Sequence, residues 1–119
     1  IRDKPDDFLV ISGDDAITLP MISVGASGVI SVVANAFPKL FSNMVRFALA
    51  KKYDEARTIH YQLLRIIENL FVEGNPAGIK ATLNILGLTQ NHVRMPLTTV
   101  SKPVFNRLSE LVKELESVG

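Results

Sequence analysis

The chain has 119 residues, 47% of them hydrophobic, which is enough to form one ordinary domain with a buried core. Thirteen basic and twelve acidic residues give a net charge of +1, which excludes the charge excess typical of proteins that bind nucleic acid or anionic membranes. There is no cysteine, which excludes disulfides and thiolate metal sites and is compatible with a reducing compartment.

The amino terminus shows no targeting signal. Residues 1–5, Ile-Arg-Asp-Lys-Pro, do not have the form of a signal peptide, and they include no initiating methionine. No apolar run approaches the length of about 20 residues that a membrane helix needs. We therefore expect a cytoplasmic protein without a membrane partner, and a chain that is part of a longer protein.

Two near-continuous apolar runs predict buried strands. They are residues 8–11 (Phe-Leu-Val-Ile) and residues 29–33 (Val-Ile-Ser-Val-Val), and both are rich in β-branched side chains. Strands of this composition are covered by helices on both faces and usually belong to parallel sheets. Two such strands leave unpaired edges and cannot close a barrel, so we expect the rest of the sheet to lie outside this chain.

The segment between the two runs predicts a crossover helix over residues 15–24. Asp14 or Asp15 would be its N-cap, and Gly25 would end it. Pro20 weakens this prediction, because a proline inside a helix removes one hydrogen bond and kinks the axis.

The rest of the chain predicts four helices with apolar residues at three- and four-residue spacings. They run over residues 36–52, with Pro38 in the first turn; from about Asp54 to Phe71; from an Asn75 cap and Pro76 to Gly87; and from Ser101 and Pro103 onward. Residues 89–100 predict an irregular connection. We accordingly divide the chain into two βα units, residues 1–52, and a helical domain, residues 53–119.

A series of short segments along the chain carries a resemblance to a known family. They are residues 12–15 (SGDD), 28–32 (GVISV), 34–35 (AN), 70–73 (LFVE), 75–76 with Lys80, 86–88 (LGL) and 94–97 (RMPL). In order and spacing they resemble the carboxyl-terminal part of the dihydrodipicolinate synthase family. The resemblance extends over essentially all 119 residues.

The resemblance implies a fold and an activity. The fold is an α/β (β/α)8 TIM barrel with a carboxyl-terminal helical domain, of which this chain would hold the last two βα units and that domain, in a homo-oligomer (tetramer or dimer). The activity is a lyase that condenses pyruvate with aspartate semialdehyde in lysine biosynthesis, through a Schiff base with a lysine. No cofactor or metal is implied.

The resemblance also implies which residues are missing and which are present. The family's Schiff-base lysine, proton-relay tyrosines and substrate-carboxylate arginine lie upstream, so this chain is expected to hold no catalytic residue and to need the amino-terminal part of the barrel. Substrate-binding residues are expected at the carboxyl ends of the strands. The main-chain carbonyl of Ile30 would lie near pyruvate, and Gly13, Asp14 and Asp15 near the second substrate. Gly13 and the aspartates are also consistent with a turn that caps the next helix.

Three sets of residues imitate a site. Lys80 lies in a Gly-Ile-Lys-Ala segment similar to the Schiff-base motif, but it follows the Asn75 cap and is predicted on a helix. His60 and His92 have no partners at metal-binding spacings, and Tyr53 and Tyr61 are predicted to pack on or beside the second helix.

Other functions remain open. Another member of the N-acetylneuraminate lyase superfamily, such as a sialic acid or keto-deoxy sugar acid aldolase, would share the Schiff-base chemistry. A non-catalytic helical assembly module is the alternative outside enzymes.

Overall fold

A computed structural model describes residues 1–118. Two strands and five helices follow one another along the chain: β1 (Ile11–Ser12), α1 (Thr18–Ser23), β2 (Gly28–Val29), α2 (Pro38–Leu49), α3 (Tyr53–Leu70), α4 (Ala77–Ile85) and α5 (Lys102–Val118). Short 3-10 turns at Asp15–Ile17 and Val33–Asn35 follow the two strands.

The chain separates into two units, Ile1–Tyr61 and Gln62–Gly119, and α3 runs through the boundary. The first unit contains both strands, α1 and α2. The second contains α4, α5 and the end of α3. The functional division at residues 52 and 53 stays a prediction.

The two strands form one parallel sheet, as the sequence predicts. Ile11 pairs with Gly28 and Ser12 pairs with Val29. The predicted strand lengths are wrong, because each strand has two residues instead of four or five. A strand extends as far as its ladder, and the described residues give neither strand a second neighbour. Phe8 and Leu9 are 58% and 63% exposed for the same reason, so the expected cover on both faces is not found here.

The crossover between the strands is a 3-10 turn that continues into α1. Asp14 is its N-cap, since its Oδ1 accepts the N–H of Ala16 at 2.9 Å. Gly25 ends it with φ +111°, a left-handed conformation that suits glycine, and donates its N–H to the Ile22 carbonyl. Pro20 is the third residue of α1, within the first turn, where helical N–H groups need no intrahelical acceptor. The predicted cap and terminator are therefore confirmed.

Helix α2 follows the second strand and packs against α1. Pro38 lies in its first turn, as predicted, because a proline there gives up no helical hydrogen bond. The helix begins at Pro38 itself, two residues later than predicted, because residues 33–35 form a 3-10 turn. Phe41, Met44 and Ala48 form its buried face. The helix ends three residues earlier than predicted, since Lys51 has φ +61° and the N–H of Lys52 returns to the Phe47 carbonyl.

The second unit is helical. Helix α4 packs against α5, and the helices of this unit bury a set of apolar side chains. They are Leu63, Ile66, Ile67 and Leu70 of α3, Ala77, Ile79 and Ala81 of α4, and Leu108, Leu111 and Val112 of α5. Residues 89–100 form no regular element, as predicted.

The predicted start of α4 is wrong by one residue. Pro76 takes the N-cap position and makes no side-chain hydrogen bond, so Asn75 does not cap the helix. The cause lies in the backbone: the Gly74 carbonyl accepts the N–H of Gly78 at 3.3 Å, and that first-turn donor needs no side chain. The end is as predicted, with Gly87 at φ +73°.

Helix α5 begins beside the predicted Ser101. The Ser101 carbonyl accepts the N–H of Phe105, and its own N–H donates to Glu73 Oε1 at 2.6 Å. Among the helices of residues 1–118, none combines the length and apolarity needed to cross a membrane.

Candidate functional site at the carboxyl ends of the strands

The four predicted site residues lie together at one end of the sheet. Gly13 and Asp14 follow β1 directly, and Ile30 follows β2. A hydrogen bond from the Ile30 N–H to the Ser12 carbonyl, at 2.9 Å, joins the end of β2 to the end of β1. Because the strands are parallel, their carboxyl ends and the loops after them share one edge.

Ile30 is available to a ligand through its main chain. The residue is 78% exposed. Within the described part of the chain, no donor bonds the Ile30 carbonyl oxygen. A free carbonyl is an acceptor, so it can bind a hydroxyl or protonated amine but not an oxyanion.

Gly13 and Asp14 are exposed at the end of β1. A Cβ on Gly13 would meet nothing within 4 Å, so no contact in this chain requires a glycine there. One carboxylate oxygen of Asp14 is used as the N-cap of the following turn. The turn-and-cap interpretation is therefore correct for Asp14, and its other oxygen is free to face solvent or a ligand.

Asp15 differs from its neighbours because it is only 3% exposed. Its Oδ2 accepts hydrogen bonds from the N–H groups of Val32 and Val33, at 3.0 and 2.7 Å, and both of these residues lie in the loop after β2. Its Oδ1 is buried and accepts no hydrogen bond from the described residues. A direct contact between Asp15 and a substrate stays a prediction.

Two hydroxyl groups beneath these loops were missed by the sequence analysis. Ser12 and Thr18 are 1% and 0% exposed. Their oxygens lie 3.0 Å apart, and each donates to the Asp14 carbonyl, at 2.9 Å from Ser12 and 2.7 Å from Thr18. The available signal was the spacing of four residues between Asp14 and Thr18, at which a threonine bonds back to a carbonyl.

The residues that imitate a site do not join this one. Lys80 lies on α4, as predicted. Tyr53 and Tyr61 lie on α3, but the prediction that they pack is wrong, because their side chains are exposed to solvent. His60 stacks edge-on against Tyr61, and burial lowers the pKa of its imidazole from the ordinary 6.5. Residues 1–118 contain no cluster of three or more side chains suited to a metal ion.

A cavity of about 390 Å³ lies in the first unit. It is bordered by β2, the loop after β2 and α2, and its lining includes Val29, Ser31, Phe41 and Arg46. None of the four predicted site residues lines it.

Comparison with known proteins identifies the family. Residues 1–115 match the model of the dihydrodipicolinate synthetase family. A curated 4-hydroxy-tetrahydrodipicolinate synthase from Flavobacterium psychrophilum is 53% identical over 115 residues, and one from Methanosarcina acetivorans is 47% identical over 114. The chain belongs to the dihydrodipicolinate synthase family. The alignments cover 97% and 96% of this chain but only 39% and 38% of those relatives.

Solved structures of the family have the same fold in the matched region. The dihydrodipicolinate synthase of Aquifex aeolicus matches with a TM-score of 0.93 and 39% identity, over 97% of this chain and 39% of that one. A chloride-inhibited dihydrodipicolinate synthase from Acinetobacter baumannii, complexed with pyruvate, matches with a TM-score of 0.88 and 33% identity, over 92% and 38%. The chain corresponds to the carboxyl-terminal part of the family's sequence.

Proposed function

We propose that this chain forms the last two βα units of a (β/α)8 barrel, and the helical domain after them, in a lyase that condenses pyruvate with aspartate semialdehyde. The observation that carries the proposal is the pair of parallel strands whose carboxyl ends bring Gly13, Asp14 and Ile30 to one edge. Barrel enzymes build their active sites at this edge. The relatives' names supply the reaction, which belongs to lysine biosynthesis.

The chemistry needs an amine that this chain does not place at the site. A Schiff base forms when a neutral lysine attacks the pyruvate carbonyl and water leaves. Neither strand carries a lysine, and Lys80 lies on α4. The reactive lysine therefore belongs to the amino-terminal part of the barrel. No cofactor enters the proposal, because the lysine amine itself forms the covalent bond to pyruvate.

Each site residue of this chain has a proposed role. The free carbonyl of Ile30 accepts a hydrogen bond from the pyruvate-derived group, which carries a donor once its carbonyl has been attacked. Gly13 and Asp14 border the place of the second substrate, where the exposed glycine allows a ligand to approach the backbone. Asp15 contributes to the site indirectly, because its carboxylate binds the amides of Val32 and Val33 in the loop after β2.

An activity assay of the complete protein tests the proposal. Pyruvate with aspartate semialdehyde should be consumed in a coupled assay, and sialic acid should not be cleaved. Turnover of sialic acid alone would refute the proposal and indicate an N-acetylneuraminate lyase. Absence of turnover with either substrate, from a folded complete protein, would favour the assembly module.

Two further expectations accompany the proposal. A homo-oligomer, tetramer or dimer, is tested by size-exclusion chromatography of the complete protein with light scattering. A cytoplasmic location is tested by cell fractionation.

A further inference from the structure

The starting observation is a buried carboxylate that joins two loops. Asp15 lies in the turn after β1, and its Oδ2 bonds the amides of Val32 and Val33 in the turn after β2. The residues are 17 and 18 positions apart in sequence. Hydrogen bonds from amides to an ionised carboxylate are among the stronger ones in proteins, and this carboxylate is 3% exposed.

The bonds of Asp15 act next to Ile30. The N–H of Ile30 is held by the Ser12 carbonyl at 2.9 Å, and the N–H of Val32 is held by Asp15 at 3.0 Å. The Ile30 carbonyl belongs to the peptide between these two fixed amides. With both neighbours fixed, the Cα atoms at the two ends of that peptide are held in place, so the unbonded Ile30 carbonyl stays beside the strand end.

We infer that Asp15 is a positioning residue for the reaction, which acts by holding the Ile30 peptide in place at the strand end and not by touching substrate. This inference rests on the proposed function and deepens it. A reacting group must be held within a fraction of an ångström for full activity. Without Asp15, the N–H groups of Val32 and Val33 lose their acceptor. The hydrogen bonds that remain lie before them, from the Ile30 N–H to the Ser12 carbonyl, and after them, where the Val32 carbonyl accepts from Asn35.

The test compares two substitutions of Asp15 in the complete enzyme. Asp15→Ala removes the acceptor for both amides, and we expect kcat/KM for pyruvate to fall by about 10- to 100-fold, the loss typical of a misplacement near 1 Å. Asp15→Asn keeps an oxygen for the same amides and should recover most of the loss. Its nitrogen would occupy the place of Oδ1, which has no donor among the described residues to lose.

A control separates positioning from stability. Ile79→Val in α4 removes one buried methylene, which costs about 0.5–1.5 kcal/mol without touching the strand ends. It should lower the melting temperature and leave kcat/KM unchanged. Amide hydrogen exchange at Val32 and Val33 supplies a second readout, which should rise in Asp15→Ala and stay at the wild-type level in Asp15→Asn and Ile79→Val.

The outcomes distinguish this inference from the proposed function. Wild-type turnover in Asp15→Ala, or an equal loss in Asp15→Asn and Asp15→Ala, would overturn the positioning role while the proposed function stood. An inactive wild-type enzyme would instead refute the proposed function. In that case, unchanged hydrogen exchange at Val32 and Val33 in Asp15→Ala would overturn the positioning role as well.

Discussion

Gly78 makes the sharpest stability prediction in the chain. The backbone of α4 passes so close to Leu70 that a Cβ on Gly78 would lie 2.0 Å from the Leu70 carbonyl oxygen, 2.7 Å from its carbonyl carbon and 2.9 Å from its Cα. Ordinary contact begins at 3.4 Å, so the oxygen would have to retreat by about 1.4 Å. No side-chain rotation relieves the overlap, because all three atoms belong to the backbone.

Two effects of Gly78→Ala oppose each other. Alanine in a helix interior is favoured over glycine by about 1 kcal/mol. Extra atoms forced into a packed interior cost about 1–3 kcal/mol or more. Since the clash here is with rigid backbone, we expect the upper end, and a net loss of about 2 kcal/mol or more in the free energy of unfolding.

Urea denaturation of the complete protein, followed by circular dichroism, measures this loss. Gly74→Ala is the matched control, because a Cβ there meets nothing within 4 Å but the residue has φ +92°. Its cost should be conformational alone, about 1–2 kcal/mol. A Gly78→Ala protein as stable as wild type would refute the close approach of α4 to Leu70.

Two further predictions concern buried polar groups. Burial lowers the pKa of His60 in the folded state, so the unfolded chain binds more protons as pH falls below about 6.5, and the free energy of unfolding falls with it. His60→Gln should remove that part of the pH dependence of the free energy of unfolding, measured in urea titrations. His92→Gln, at an exposed position, is the control, and an equal effect from both substitutions would contradict the burial of His60. Thr18→Val should cost about 1–3 kcal/mol, because a fully buried hydroxyl and its bond to the Asp14 carbonyl are lost. Thr58→Val is the control, because Thr58 donates to the carbonyl of Asp54, also four residues back, but at the surface. It should cost less, and equal losses from the two substitutions would contradict the role of burial.

Local chemistry made the helix ends predictable. Asp14, Gly25, Pro38 and Gly87 act through their own side chain or backbone, and each lies where the sequence rules place it. Lys51 shows the limit of those rules. Its left-handed conformation ends α2 without a glycine to signal it, so the helix was predicted too long.

Properties that depend on distant residues were not predictable. Strand length depends on the number of neighbours in the sheet, which the runs at residues 8–11 and 29–33 do not encode. The partners of Asp15 lie 17 and 18 residues away, so its buried role could not be separated from capping or substrate contact. The candidate site residues, by contrast, came from the family resemblance, and the parallel pairing explains why the loops that carry them share one edge of the sheet.

Borohydride trapping of the complete protein with pyruvate tests the central claim most directly. Reduction fixes a Schiff base as a stable adduct, which peptide mass spectrometry then assigns to a residue. The account predicts one pyruvate-derived adduct per chain, on a lysine outside the 119 residues described by this sequence. An adduct on Lys80, or no adduct on a folded complete protein, would contradict it.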